Sequence, residues 1–146
     1  MSAVISCLLA GLVAASSSPG SPVARPAEEG WAVHYEPGLM REVLRVRQRQ
    51  GLVPYGVRYD GLASTTDCAN IGKRVWVSLR SPRTGRWSAP LRLLVVDCSA
   101  PADRARHIRS GLVVEVDFAT ARRTGWGWDG RRGEGKARAR VVRIEP

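Results

Sequence analysis

Leu112-Val113-Val114-Glu115-Val116-Asp117-Phe118-Ala119-Thr120-Ala121-Arg122-Arg123 packs a strand, a cap and a helix into one passage. Leu112–Val116 is a short apolar run rich in β-branched residues and reads as a strand. Asp117 can accept backbone N–H groups at the start of a helix, and Gly125 can end it, so Phe118–Arg123 reads as a short inserted helix with Asp117 as its structural cap.

The same pattern continues outward. Arg74–Leu79 alternates polar and apolar residues as a half-buried strand does, and Ser81-Pro82-Arg83-Thr84-Gly85 is a turn, so a hairpin returns through Trp87. Leu91–Val96 and Ala137–Ile144 are further strands, and Val57-Arg58-Tyr59 is a short one before a turn-like Asp60-Gly61. No internal repeat is evident. The expected architecture is mainly β: a small barrel with one short inserted helix and an N-terminal amphipathic helix. That helix starts near Glu36-Pro37 and stops at Gly51, with Leu39, Met40, Val43, Leu44 and Val46 as its apolar stripe. Docking of this stripe on its own domain is favoured over binding to a membrane or nucleic acid.

A length of 146 residues suits one domain, and 44% hydrophobic with 25% charged residues is a globular composition. Disorder, collagen-like repeats and multi-domain enzymes are thereby disfavoured. No apolar run approaches the ~18–20 residues that cross a bilayer. Lys and Arg total 23 against 13 Asp and Glu, a net charge of +10, which calls for an anionic partner. The charge is unevenly placed. Residues 1–24 carry none, Arg41–Arg49 holds four Arg against one Glu, and Arg122–Arg140 holds seven basic against two acidic residues.

The uncharged start contains the apolar run Val4–Ala15 followed by Ser16–Pro22, the pattern of a secretory signal with a small-residue cleavage region but without its usual leading positive charge. A disordered or core-docking segment is the alternative. The expected division is a signal and cleavage region at 1–24, a linker plus the amphipathic helix at 25–54, with 22–33 polar and proline-bearing, and the barrel at 55–146. Cleavage would remove Cys7 and leave Cys68 and Cys98, a candidate disulfide in an oxidising compartment; two buried free thiols are the alternative.

Gly125-Trp126-Gly127-Trp128-Asp129-Gly130 matches the dinucleotide fingerprint by letter, but a helix ends before it instead of starting after it, so that reading fails. Gly133-Glu134-Gly135-Lys136 lacks the spacing of a P-loop. The stretch reads instead as a loop in which Trp126 and Trp128, flanked by Arg122, Arg123, Arg131 and Arg132, stack on sugar rings or bases, or pack on the barrel end. His34 and His107 stand apart and no metal-ligand spacing occurs, so neither a metal nor a cofactor is expected. Asp97, in Val95-Val96-Asp97-Cys98-Ser99-Ala100-Pro101, sits where an apolar strand meets a small-residue turn. A carboxyl there can have a raised pKa and act as a general acid, or can accept backbone N–H bonds and hold the turn.

Taken together, Gly61-Leu62-Ala63-Ser64, Gly72-Lys73-Arg74-Val75-Trp76-Val77, the Val96-Asp97…Pro101 turn and Val113–Ala121 resemble the double-psi β-barrel domain of the RlpA-like family, relatives of expansins and barwin-like proteins. The resemblance spans about Gly61 to Ile144, with Glu115 in the place of the family's Asp and Asp117 in the place of its Ser. It implies a six-stranded barrel with pseudo-twofold symmetry. In lytic members of the family a single protein acid protonates the leaving glycosidic oxygen of peptidoglycan while the sugar's own hydroxyl attacks, and Asp97 stands at the position of the functional Asp. Cys98-Ser99-Ala100 follows it where the family has Arg-Gly, Thr65-Thr66 replace aromatic residues, and the compressed segment just before Gly72 holds no His to match the family's. These departures imply weak or lost lytic activity with binding retained.

The expected function is a secreted or envelope-associated barrel that binds cell-wall glycan, with Asp97 as candidate acid and Trp126, Trp128, Arg122 and Arg131 as candidate glycan contacts. The expected partner is a cell-wall polysaccharide or another anionic polymer. Nucleic acid ranks second and a secreted partner-binding protein without catalysis third; oligomeric state is left open.

Overall fold

The structure, a computed structural model, describes residues 27–127 and 135–146. The elements are β1 (Glu28–His34), α1 (Leu39–Arg49), β2 (Gly61–Thr65), a 3-10 turn (Cys68–Asn70), β3 (Arg74–Arg80), β4 (Leu91–Cys98), α2 (Pro101–Arg109), β5 (Leu112–Val116), α3 (Phe118–Arg123) and β6 (Lys136–Glu145). The six strands close into a barrel in the order β1-β5-β2-β4-β3-β6. The fold is mainly β, a six-stranded barrel with short helices. Exchanging β1, β2, β3 with β4, β5, β6 leaves the order and every pairing sense unchanged: β1–β5 and β2–β4 are parallel, the other pairs antiparallel. Each half therefore runs strand, helix, strand, short capped helix, strand. This duplicated plan is compatible with a double-psi barrel.

Three expectations need correction. Residues 28–34, read as linker, form β1 and pair with β5 and β6. The residues that β1 buries best are the small Gly30 and Ala32, so no apolar alternation marks the strand. The strand expected at Val57–Tyr59 lies instead at Gly61–Thr65, another stretch of small residues, all buried. The chain bends at Asp60, whose backbone N–H donates to the Arg92 carbonyl at 2.7 Å and whose carboxylate accepts from the Arg92 N–H at 2.8 Å, leading it into β2. A second inserted helix, α2, is present as well. It buries no residue, so it has no stripe to read; Pro101 in its first turn and the Asp103–Arg106 ion pair at 2.7 Å support it.

Two apolar layers hold the molecule. Val75, Val77, Leu79, Leu93, Val95, Val114 and Val116 fill the barrel interior. Outside the barrel, Leu62, Leu94 and Val96 meet Met40 and Leu44 of α1 and Val53. The helix α1 follows Gly38 (φ 84°) and ends before Gly51 (φ 72°). The halves touch most closely at Gly61, where a methyl group would overlap Thr120 Oγ1 and come 3.0 Å from Asp117 Oδ2. That close approach lets Asp117 accept from the Leu62 N–H while it caps α3 through the Thr120 N–H at 2.8 Å. The cap expected at Asp117 is found.

Candidate functional site

Three polar residues lie side by side on neighbouring strands. Ser64 of β2 is opposite Asp97 of β4 and opposite Glu115 of β5. The pairing of β2 with β4 slips between Ala63 and Ser64, which skips Val96. This bulge leaves Val96 in the apolar layer under α1 and brings Asp97 level with Ser64, the re-aiming of a side chain that bulges commonly produce. The Cys68–Cys98 disulfide ties the end of β4 to the turn that follows β2, with a Cα separation of 4.9 Å, and the Ser99 N–H donates to the Thr65 carbonyl at 2.9 Å. The expected bridge is therefore formed, one position along the strands from Asp97 and Ser64.

Each member of the row has a different environment. Asp97 accepts from Arg47 Nη2 at 2.9 Å on one oxygen and from the Tyr35 hydroxyl at 3.0 Å on the other. Arg47 also donates through Nε to the Val96 carbonyl at 3.3 Å, so α1 grips the strand end beside the carboxylate. Burial pushes the Tyr35 hydroxyl well above its ordinary pKa, and the nearby Glu115 and Asp97 add to the shift, which keeps it a proton donor to Asp97. Burial also raises the Glu115 carboxyl. His107 and Ser64 offset part of that shift, while Asp97 and Asp103 reinforce it. Ser64 Oγ is buried and makes no well-formed hydrogen bond; its dipole lies close enough to Tyr35 and Glu115 to temper both shifts. On the far side Ser99 Oγ and His107 Nδ1 lie 2.8 Å apart and hold α2 against the strand end.

The arrangement thus offers a carboxyl that retains its proton to higher pH than usual, a carboxylate already paired with Arg47, and a buried hydroxyl between them. Sequence reasoning singled out Asp97 but gave no catalytic weight to Glu115, Ser64, Tyr35 or Arg47. The one available signal was Glu115, a carboxyl inside the apolar run LVVEV.

Of the expected glycan contacts, Trp126 and Arg122 lie among the described residues. Trp126 is 3% exposed and packs in the barrel core, its ring 5.7 Å from that of His34, so it has no free face to stack on a sugar. Arg122 is exposed on α3. Trp128 and Arg131 lie outside the described residues. Among the described residues no helix is long and apolar enough to cross a membrane. Compared with known proteins, the chain matches no family model, no curated protein and no solved structure.

Proposed function

We propose that the chain is an exported barrel that binds cell-wall glycan, with the row Glu115–Ser64–Asp97 meeting the sugar and Glu115 as the carboxyl that donates a proton. The observation that carries this reading is the buried Ser64 hydroxyl set between two carboxyl groups whose surroundings differ. Neighbouring carboxyls in unlike environments are the arrangement that divides acid from acceptor roles. Asp97 accepts from both Arg47 and Tyr35, which suits it to orienting a ligand. Burial leaves Glu115 the better proton donor, so the acid role expected for Asp97 passes to its neighbour. The resemblance to RlpA-like barrels supports glycan as the ligand, and the Cys68–Cys98 bridge supports an oxidising compartment.

The test is retention of the purified chain on insoluble peptidoglycan, with mass spectrometry of any soluble fragments. The expected result is retention together with slow release of anhydro-sugar ends. Release should vanish in Glu115→Gln, while Asp97→Asn should weaken retention as well. Neither retention nor fragments from the intact chain would refute the reading.

A further inference from the structure

β6 lies three strands from β2 in either direction around the barrel, so its outer face is the one farthest from the row described above. None of the described helices covers that face, and it carries paired tryptophans and arginines. Arg138 lies over Trp31 at 5.0 Å from the ring centroid, Arg140 over Trp87 at 4.8 Å, and Arg143 over Trp76 at 4.5 Å. Trp31 and Trp87 remain 39% and 36% exposed. The regularity comes from the strand: Ala137 and Ala139 point into the barrel, so Arg138 and Arg140 point out.

A guanidinium stacked on an indole is held in place, so it meets an anion with less ordering cost than a loose arginine. Beside Trp87 the ladder opens into a groove of about 460 Å³ whose walls include Arg83, Arg86 and Arg123 and, among the described residues, no acidic side chain. On the ladder itself the neutralising carboxylates are Glu29, 2.6 Å from Arg140, and Glu145, 2.9 Å from Arg143. Three ladder arginines thus face two carboxylates, and the excess of positive charge is greatest in the groove, where Arg83, Arg86 and Arg123 gather.

We infer that this face is a second binding surface, for a polyanionic glycan: a saccharide chain whose carboxylates or phosphates meet the stacked arginines and whose rings rest on Trp31 and Trp87. Charge complementarity sets the sign of the ligand and the indoles set its flat, partly apolar component. The disulfide favours a glycan over nucleic acid, because disulfides persist where wall and capsule polymers, not nucleic acids, are the resident polyanions. The inference does not depend on the Glu115 row, since it concerns other residues and is read by binding alone.

The experiment measures affinity of the full chain for polygalacturonate and for a phosphate-bearing teichoic acid, with neutral dextran and oligo-dT as comparisons, over a range of salt. Binding to either anionic glycan but not to dextran, weakening as salt rises, is expected. The triple variant Arg83→Gln, Arg86→Gln, Arg140→Gln should lose at least about tenfold in affinity, as several charge-assisted contacts are removed. Trp87→Ala should weaken binding without any change in charge. A charge-matched variant at exposed positions off the track, Arg49→Gln, Arg104→Gln, Arg109→Gln, should lose less than about twofold. Equal losses in the two triple variants, tighter binding of oligo-dT than of either glycan, or no binding at low salt would each overturn the inference.

Discussion

In the first half of the barrel α1 turns Met40 and Leu44 onto Leu62, Leu94 and Val96; at the corresponding place in the second half α2 buries nothing and leaves Ile108 56% exposed. The strands on which the two helices stand are equivalent under the exchange of halves, but the fastenings differ. Apolar burial fixes α1, whereas the Ser99–His107 contact and backbone bonds hold α2. The row Glu115–Ser64–Asp97 has Arg47 of α1 on one side and His107 of α2 on the other. One wall of the site is therefore anchored and the other lightly held, and weakly packed elements are where local opening occurs most readily.

The largest effect should come from breaking the anchored wall. Met40→Ala should cost about 2–5 kcal/mol in equilibrium unfolding, whereas Ile108→Ala should stay within about 0.5 kcal/mol because it removes no buried group. Comparable costs would mean that the two helices are held alike. Next comes the bridge that joins the halves: Cys68→Ser with Cys98→Ser opens a loop spanning 30 positions and should cost about 3–4 kcal/mol in the loop-entropy account, read as a lower denaturation midpoint.

Of these elements the sequence displayed those with apolar signals. The strands at 74–80, 91–98, 112–116 and 136–145 carry alternating or continuous β-branched residues, and α3 has a visible cap in Asp117. β1 and β2 bury Gly30, Ala32, Gly61, Ala63 and Ser64, residues too small to form a hydrophobic pattern, so β1 reads as linker and β2 has no signal of its own in the sequence. The twofold plan was hidden for a related reason: the halves share topology but not composition, as α1 and α2 show. In the site, Asp97 was legible from its place at a strand end. Ser64, Tyr35 and Arg47 join it only through the barrel closure and the bulge at Val96, which no local spacing displays.

A pair of equivalent caps gives a finer comparison. Asp67 caps the turn after β2 through the Ala69 N–H at 3.0 Å, and Asp117 caps α3 after β5 while also accepting from Leu62. Asp117→Ala should therefore cost about 1–3 kcal/mol and Asp67→Ala about 0.5–1 kcal/mol, since only the first also leaves the Leu62 N–H of the other half without its acceptor.

The smallest effect concerns pH. Burial raises the Glu115 carboxyl, so the folded chain keeps a proton that the unfolded chain has released. Stability from this group is complete below the unfolded value of about 4.3 and is lost as pH rises through the raised folded value. Glu115→Gln should match the wild type in thermal unfolding near about pH 4 and exceed it near about pH 7. The opposite ordering would show Glu115 to be stabilised as a carboxylate by His107.

The most direct measurement is an NMR titration of the Glu115 side-chain carboxyl, alone and with a soluble peptidoglycan fragment. The account predicts a midpoint above the ordinary glutamate value that moves when the fragment binds. A midpoint at the ordinary value, unmoved by a fragment that perturbs resonances elsewhere, would contradict it.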